Sequence, residues 1–391
     1  MNQESINTLY KFNPWWEDNY QFDGIVRPSY LKILAPFLNN SDIVFLTGLR
    51  RVGKTSLLKN LIAQLINEHG VKPSHIFYIS LDLYSLNNLS IGEIINQYRT
   101  IHTLKSNEKI TVFLDEVTHK KSYQQELKNL YDLGGVKIFA SSSSASLLKD
   151  KNAYLTGRQR IIEIMPLDFK EYLAFKKINI KHADQHLLKP YFEAYMQTGG
   201  LPEFVLTDDP SYLQNLVESI IYKDIIAQYN IRSHRTIEDF YKLLMERSGK
   251  QLSLNKMANI LGISVDSARR YLTYFEQTYL IYSVPKFGKL NETLKSVKKV
   301  YSGDVGLKNF MTGFRDKGAI FENLVFLKIK SQKPCYLYQN GVEIDFITAN
   351  KTLIEVKYHS VLNKKQQQLF DNFEAKDKQI ISNIEAYLQL C

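Results

Sequence analysis

The chain has 391 residues, 44% of them hydrophobic and 23% charged, with 50 Lys and Arg against 40 Asp and Glu, a formal net charge of +10. This length exceeds a typical single core of about 100 to 200 residues, so two or three domains are expected, and the positive excess favours a polyanionic partner without proving one. Two cysteines, Cys335 and Cys391, exclude a CxxC zinc knuckle and a disulfide framework. No apolar run reaches the roughly 20 residues of a bilayer span, and MNQESINTLYKFNPWW lacks the parts of a signal peptide. The expectation is a cytoplasmic protein with no membrane partner.

The first strong pattern is IVFLTGLRRVGKTSLLKNLIAQLI, an apolar run from Ile43 to Leu46, a glycine loop, and apolar residues at helical spacing. Gly48 and Gly53 let backbone N–H groups turn inward around phosphate oxygens, and the following helix start adds partial positive charge. The loop residues Arg51, Val52, Gly53, Lys54, Thr55 and Ser56 are the candidate nucleotide contacts. Lys54 is placed to reach the β- and γ-phosphates of ATP, and the Thr55 hydroxyl to ligate Mg²⁺. Next, KITVFLDEVTH predicts a buried parallel strand whose carboxyl end delivers Asp115, to hold magnesium, and Glu116, to polarise the attacking water. A third apolar strand runs into Ser141 to Ser144, where Ser143 reads either as a γ-phosphate or water contact or as an ordinary helix cap.

These motifs, with NPWW at 13 to 16, Arg27, LTGRQRIIEIMPLDFKEYL and TGGLPEFV, resemble the prokaryotic, especially archaeal, AAA-type ATPases of the STAND-like and origin-recognition neighbourhood. The resemblance implies that Arg158, in Gly157-Arg158, is a charge-stabilising arginine acting in cis or from a neighbouring subunit of a homo-oligomer. It places Pro202 near the adenine. Ser142 departs from the glycine usual in that sensor loop. On the residues alone, Arg158 reads equally as a surface charge, and Gly199-Gly200-Leu-Pro202 as a turn between helices.

Residues 166–235 carry apolar positions at spacings of three and four, including Leu213, Leu216, Val217, Ile220 and Ile221, and are expected to form a helical lid or connector. SLNKMANILGISVDSARRYLTYFEQ then predicts two helices around a Gly262 turn, the second capped by Ser264 and presenting Ser267, Arg269 and Arg270. Two strands around a basic excursion holding Lys286, Lys289, Lys295, Lys298 and Lys299 complete a winged helix-turn-helix over 236–303. DNA and a protein partner both remain open as its target.

In NGVEIDFITANKTLIEVKY, alternation predicts a hairpin with Glu343 and Asp345 on one face, opposite Val342, Ile344 and Phe346, and with Glu355 and Lys357 facing away from Ile354 and Val356. With Glu322 upstream, this resembles the PD-(D/E)xK nuclease fold over 304–391. The resemblance implies that Glu322, Asp345 and Glu355 hold Mg²⁺ or Mn²⁺, that Lys357 is catalytic, and that Gln366 or Gln367 assists. The expected architecture is α/β: an AAA-type P-loop parallel sheet over 1–165, the helical lid, the winged helix and a small PD-(D/E)xK-like domain. The function expected is an ATP-hydrolysing, DNA-binding protein with Mg²⁺- or Mn²⁺-dependent nuclease activity. The alternative is an ATP-switched protein whose nuclease-like domain is silent.

Overall fold

The computed structural model describes residues 3–145 and 155–390 and divides into two compact units, Met1–Ile164 and Met165–Cys391. Leu147 and Leu148 of the serine-rich motif, and Cys391, lie outside the described residues.

The first unit is a five-stranded sheet of β1 (Ile43–Thr47), β2 (Ile76–Ser80), β3 (Ile110–Asp115), β4 (Val136–Ser142) and β5 (Gln159–Glu163), in the order β2-β3-β4-β1-β5. Every pairing is parallel. Parallel strands joined by helical crossovers are covered on both faces, which is why β1 is buried at all five positions and reads as an unbroken apolar run. The helix Lys54–Asn67 buries Leu57, Leu58, Leu61, Ile62 and Leu65, the stripe expected of 3.6 residues per turn. A second helix, Ile91–Ile101, starts in a capping box of Ser90 and Glu93 and packs Ile94, Ile95 and Tyr98 into the core with Phe77, Ile79 and Leu114.

β2 is an edge strand, and the NPWW segment closes it. Asn13 donates to the Tyr78 carbonyl at 2.8 Å and accepts from the Tyr78 N–H at 2.7 Å, while the Trp15 and Trp16 indoles both donate to the Ile76 carbonyl, at 3.1 and 3.0 Å. Those groups would otherwise be a free strand edge, open to pairing with another chain.

The second unit opens with the helices Phe169–Phe175, Leu188–Thr198, Pro202–Thr207 and Pro210–Ser219. The last runs into a π-helical stretch, Ile220–Ile226, that buries Ile220, Ile221, Ile225 and Ile226. Then come the helix His234–Glu246, β6 (Lys250–Leu252), the helices Leu254–Leu261 and Val265–Gln277, β7 (Ile281–Val284) and β8 (Lys298–Ser302), the strands forming an antiparallel sheet in the order β6-β8-β7. The basic excursion between β7 and β8 contains a short helix, Leu290–Lys295, that alternation alone does not predict. After the helices Val305–Thr312 and Lys317–Ile329, β9 (Cys335–Gln339), β10 (Val342–Ile347), β11 (Thr352–Val356) and β12 (Asp377–Ile381) form a sheet in the order β12-β11-β10-β9. β12 runs parallel to β11, and the helix Lys364–Asn372 packs Phe370 on Leu337, Ile344, Ile347 and Leu353.

Two expectations are corrected here. A register shift in β10 between Ile344 and Ile347 turns Phe346 away from Ile344 and toward Tyr301 and Phe326, because an extra residue in one strand reverses the alternation beyond it. Lys299 is not on the exposed wing: it lies within β8 at 1% exposure. At the expected 303/304 boundary the chain is tied down by a side chain. The buried Asp304 carboxylate accepts from the N–H groups of Gly306, Leu307 and Gly200, at 2.8, 3.2 and 2.7 Å, so one side chain ties the helix Val305–Thr312 to the turn that follows Leu188–Thr198.

Candidate active sites

The phosphate loop of the first unit springs from the carboxyl end of β1. Gly48 has φ +135° and sits so near β5 that a Cβ there would lie 2.3 Å from the Ile164 carbonyl oxygen, which requires glycine. Gly53 is left-handed and opens the helix Lys54–Asn67. The Lys54 ammonium donates to the Gly48 and Leu49 carbonyls, both at 2.9 Å, and the buried Arg27 guanidinium braces the loop from outside through the Val52 carbonyl at 2.9 Å.

Facing the loop, β3 brings Asp115 to Thr55, whose hydroxyl donates to Oδ2 at 2.6 Å. Tyr78 donates to the same oxygen at 2.8 Å, and Ser141 donates to Oδ1. A threonine hydroxyl against a carboxylate is a hard-oxygen pair that suits Mg²⁺. Glu116 has φ +51°, an uncommon conformation for a non-glycine residue; its N–H donates to Ser141 Oγ at 3.1 Å. Ser143 donates to Glu116 Oε2 from both its N–H and its hydroxyl, at 3.3 and 3.1 Å. Lys54, Thr55, Asp115, Glu116 and Ser143 thus stand at the carboxyl edge of neighbouring strands, where open parallel sheets bind ligands. Sequence reading passed over the roles of Tyr78, Ser141 and the brace made by Arg27; the usable signal is that Ser141 lies at the carboxyl end of β4, beside β3.

Arg158 is a correction for any role in cis. Its carbonyl accepts from the Ile43 N–H at 2.8 Å, which puts it beside the start of β1, and its guanidinium pairs with Asp132 at 3.4 Å. The length of β1, roughly 16 Å at 3.3 Å per residue, separates it from the phosphate loop. A cavity of about 560 Å³ lined by Asn40, His69, Lys109, Tyr131 and Gly135 lies at that same amino edge and contains none of the phosphate-loop residues. Pro202, in the second unit, is the first residue of the helix Pro202–Thr207, where a missing N–H costs nothing. The glycines before it are explained locally, since a Cβ on Gly199 would lie 2.3 Å from Asp304 Oδ1 and one on Gly200 2.2 Å from the Leu167 carbonyl oxygen.

The second candidate site lies in the second unit, where β10 and β11 part. Their ladder pairs Phe346 with Ile354 and Ile347 with Leu353. Beyond it side chains replace backbone: the Asp345 N–H donates to Glu355 Oε2 at 3.0 Å and the Val356 N–H donates to Asp345 Oδ2 at 2.9 Å. Glu355 Oε1 also accepts from Lys357 at 2.7 Å and from Gln366 at 3.2 Å. Gln367 turns instead to Asp371.

Glu322, on the helix Lys317–Ile329, does not join Glu355. The Lys299 ammonium stands 2.7 Å from Glu322, 2.8 Å from Glu343 and 3.3 Å from Asp345. Tyr301 donates to Glu322 Oε1 at 2.7 Å, and Gln251 to Glu343 Oε2 at 2.7 Å. Burial, then the charge of Asp345, pushes Glu322 up to about 7 and Glu355 up to about 8, while the surrounding carboxylates hold Lys299 firmly protonated against its own burial. The residues expected to hold a metal do not fit one: among the described residues no group of three or more His, Cys, Asp or Glu is placed for it. An ammonium lies where Glu322 and Asp345 approach, and Glu355 Oε1 is taken up by Lys357 and Gln366. Lys299, Tyr301 and Gln251 were missed because Lys298-Lys299 reads as ordinary wing charge until β8 is docked. The one available clue is the two-residue spacing of Lys299 and Tyr301, which sets both on one face of a strand.

Residues 40–173 match the sequence profile of the AAA domain family, and residues 189–318 that of a domain of unknown function, DUF8612. The uncharacterized protein MJ1544 of Methanocaldococcus jannaschii is 31% identical over 352 residues, spanning 84% of this chain and 77% of its own. The chain belongs to its family. The first unit is an AAA-type P-loop ATPase module, with the phosphate loop and the Asp115-Glu116 pair inside the matched range. An uncharacterized protein of Haemophilus influenzae is 26% identical over 319 residues, 78% of each chain. Solved structures that align with this chain include Orc1 of Aeropyrum pernix in complex with DNA, at 12% identity and TM-score 0.35 over 78% of this chain and 96% of that one. Another is AMPPCP-bound DnaA of Aquifex aeolicus, at 16% identity and TM-score 0.30 over 65% and 90%. Likeness at these TM-scores is too slight to bear on function. Among the described residues no helix is long and apolar enough to cross a membrane.

Proposed function

We propose that this protein is a nucleotide-switched, DNA-binding ATPase whose C-terminal nuclease-like domain is silent as it stands. The observation that carries the reading is the convergence of Thr55, Asp115, Glu116 and Ser143 opposite Lys54. In it, Lys54 contacts the β- and γ-phosphates, Thr55 and Asp115 hold Mg²⁺, and Glu116 takes the proton of the attacking water while Ser143 fixes its carboxylate. Mg²⁺, when bound, neutralises charge on the phosphates.

For the second unit, the order helix, strand, two helices, strand, loop, strand, with the sheet order β6-β8-β7, supports a winged helix. Arg269, Arg270, Lys289, Lys295 and Lys298 are exposed and supply its phosphate contacts. Arg269 is shared only with Asp266 in a surface pair 2.9 Å apart, which DNA phosphate readily replaces. The parted strands at Asp345 and Glu355 support a PD-(D/E)xK-like fold for the rest.

The test is fluorescence anisotropy with a labelled duplex in ATP, in ADP and without nucleotide, alongside ATP turnover. Lys54→Ala abolishes turnover and the nucleotide dependence of binding. The triple change of Lys289, Lys295 and Lys298 to Ala lowers the salt slope by about 0.9 per lysine. Binding that ignores both nucleotide and salt sinks the proposal. A second reading, Mg²⁺- or Mn²⁺-dependent cleavage, is favoured by the Glu355–Lys357 pair with Gln366 beside it. It requires plasmid nicking by the wild type that Asp345→Ala removes.

A further inference from the structure

We infer that Lys299 is a built-in replacement for a divalent cation, and that its ammonium bars metal from the Glu322, Glu343 and Asp345 cluster of the native protein. The inference deepens the reading of the last domain as nuclease-like and silent, and it rests on that reading for the fold alone. Its electrostatic content stands on contacts inside the second unit.

The ammonium is seated rather than adventitious. It contacts three carboxylates, drawn from the helix Lys317–Ile329 and from β10, at 2.7, 2.8 and 3.3 Å, and the residue is 1% exposed. The same small sheet that carries it also supplies the donors fixing the outer carboxylates. Tyr301, two residues on in β8, holds Glu322, and Gln251, the register partner of Lys299 in β6, holds Glu343.

The stem cannot swing out. β8 is the central strand of its sheet, with Lys299 paired to Gln251 on one side and Val284 on the other. At 1% exposure the side chain could leave the cluster only by displacing packed neighbours, Tyr301 and Phe346 among them, whose ring centres stand 5.7 and 5.9 Å from Nζ. Mg²⁺ or Mn²⁺ bound to the same oxygens at about 2.0 to 2.2 Å would stand almost on top of Nζ, and two cations at that separation repel strongly beside a buried ammonium. A flexible surface lysine would yield to the metal; this one is buried and met by three carboxylates.

The experiment uses the full chain and Mn²⁺ alone, with free Mn²⁺ read by electron paramagnetic resonance and thermal unfolding followed in parallel. The Thr55–Asp115 pair can take Mn²⁺ in every variant, so the comparison is between proteins. Wild type and Asp345→Asn are expected to take up the same amount. Lys299→Met is expected to gain about one equivalent and a rise in Tm on adding Mn²⁺. Lys299→Arg and the exposed neighbour Lys298→Met are expected to gain neither. A wild type that loses Mn²⁺ on Asp345→Asn overturns the inference, as does a folded Lys299→Met that gains none. Should Lys299→Met not fold, the pair of wild type and Asp345→Asn decides the matter by itself. No nucleotide or DNA enters the assay, so failure of the ATPase or DNA-binding reading leaves the result untouched.

Discussion

Each unit of the molecule buries a lysine among oxygen atoms, and the two lysines are held in opposite ways. Lys54 donates to the Gly48 and Leu49 carbonyls at 2.9 Å, within the phosphate loop where an incoming phosphate would meet it. Lys299 is met by three carboxylates, so its charge is consumed within the protein. Burial alone therefore does not mark a functional cation; the charge state of what surrounds it does.

This contrast can be broken by experiment. Lys299→Met leaves buried carboxylates without their counter-charge and is expected to destabilise the second unit by about 3 to 5 kcal/mol, read by urea unfolding. Lys54→Met removes the donor to the Gly48 and Leu49 carbonyls. It should leave unfolding almost unchanged yet reduce ATP turnover by roughly 100-fold or more, as losing a charge-stabilising donor does. Equal stability losses in the two variants would dissolve the distinction.

Asp304→Asn keeps the shape of a carboxylate that accepts three N–H donors but sets an amide NH₂ against one of them. It is expected to cost about 1 to 3 kcal/mol, in the second unit only. Trp15 and Trp16 are the two tryptophans of the chain and both lie in the first unit, so tryptophan emission separates the transitions.

The smallest effect is on pH. Burial pushes Asp304 up to about 6, and burial with the charge of Asp345 raises Glu322 to about 7 and Glu355 to about 8. Unfolded carboxyls release their protons near about 4 to 4.5. The stabilisation from these raised groups is complete below that range and is lost as pH climbs through the folded values. The second unit should therefore unfold at lower urea concentration at pH 8 than at pH 5.5, with the difference reduced in Glu355→Gln.

How much could be read from the sequence depends on how local each feature is. The strand, loop and helix around Lys54 are contiguous, and Asp115 and Glu116 are announced by the strand they end, so local pattern places them together. Arg158 depends on which edge of the sheet β5 joins and at what register, which no run of residues discloses. Phe346 followed simple alternation until a bulge intervened. Lys299 required knowing that β8 docks against a sheet beginning more than thirty residues later, because solvent exposure, not residue type, separates it from Lys298.

The carboxylate of Asp304 has a mechanical consequence. Because it grips the Gly199-Gly200 turn and the start of Val305–Thr312 at once, the early helices of the second unit and the segment leading to the C-terminal sheet share one anchor. A displacement applied to the helix Leu188–Thr198 is passed on rather than absorbed at residue 304. Residue 304 is therefore a tied point of the second unit and not a free joint.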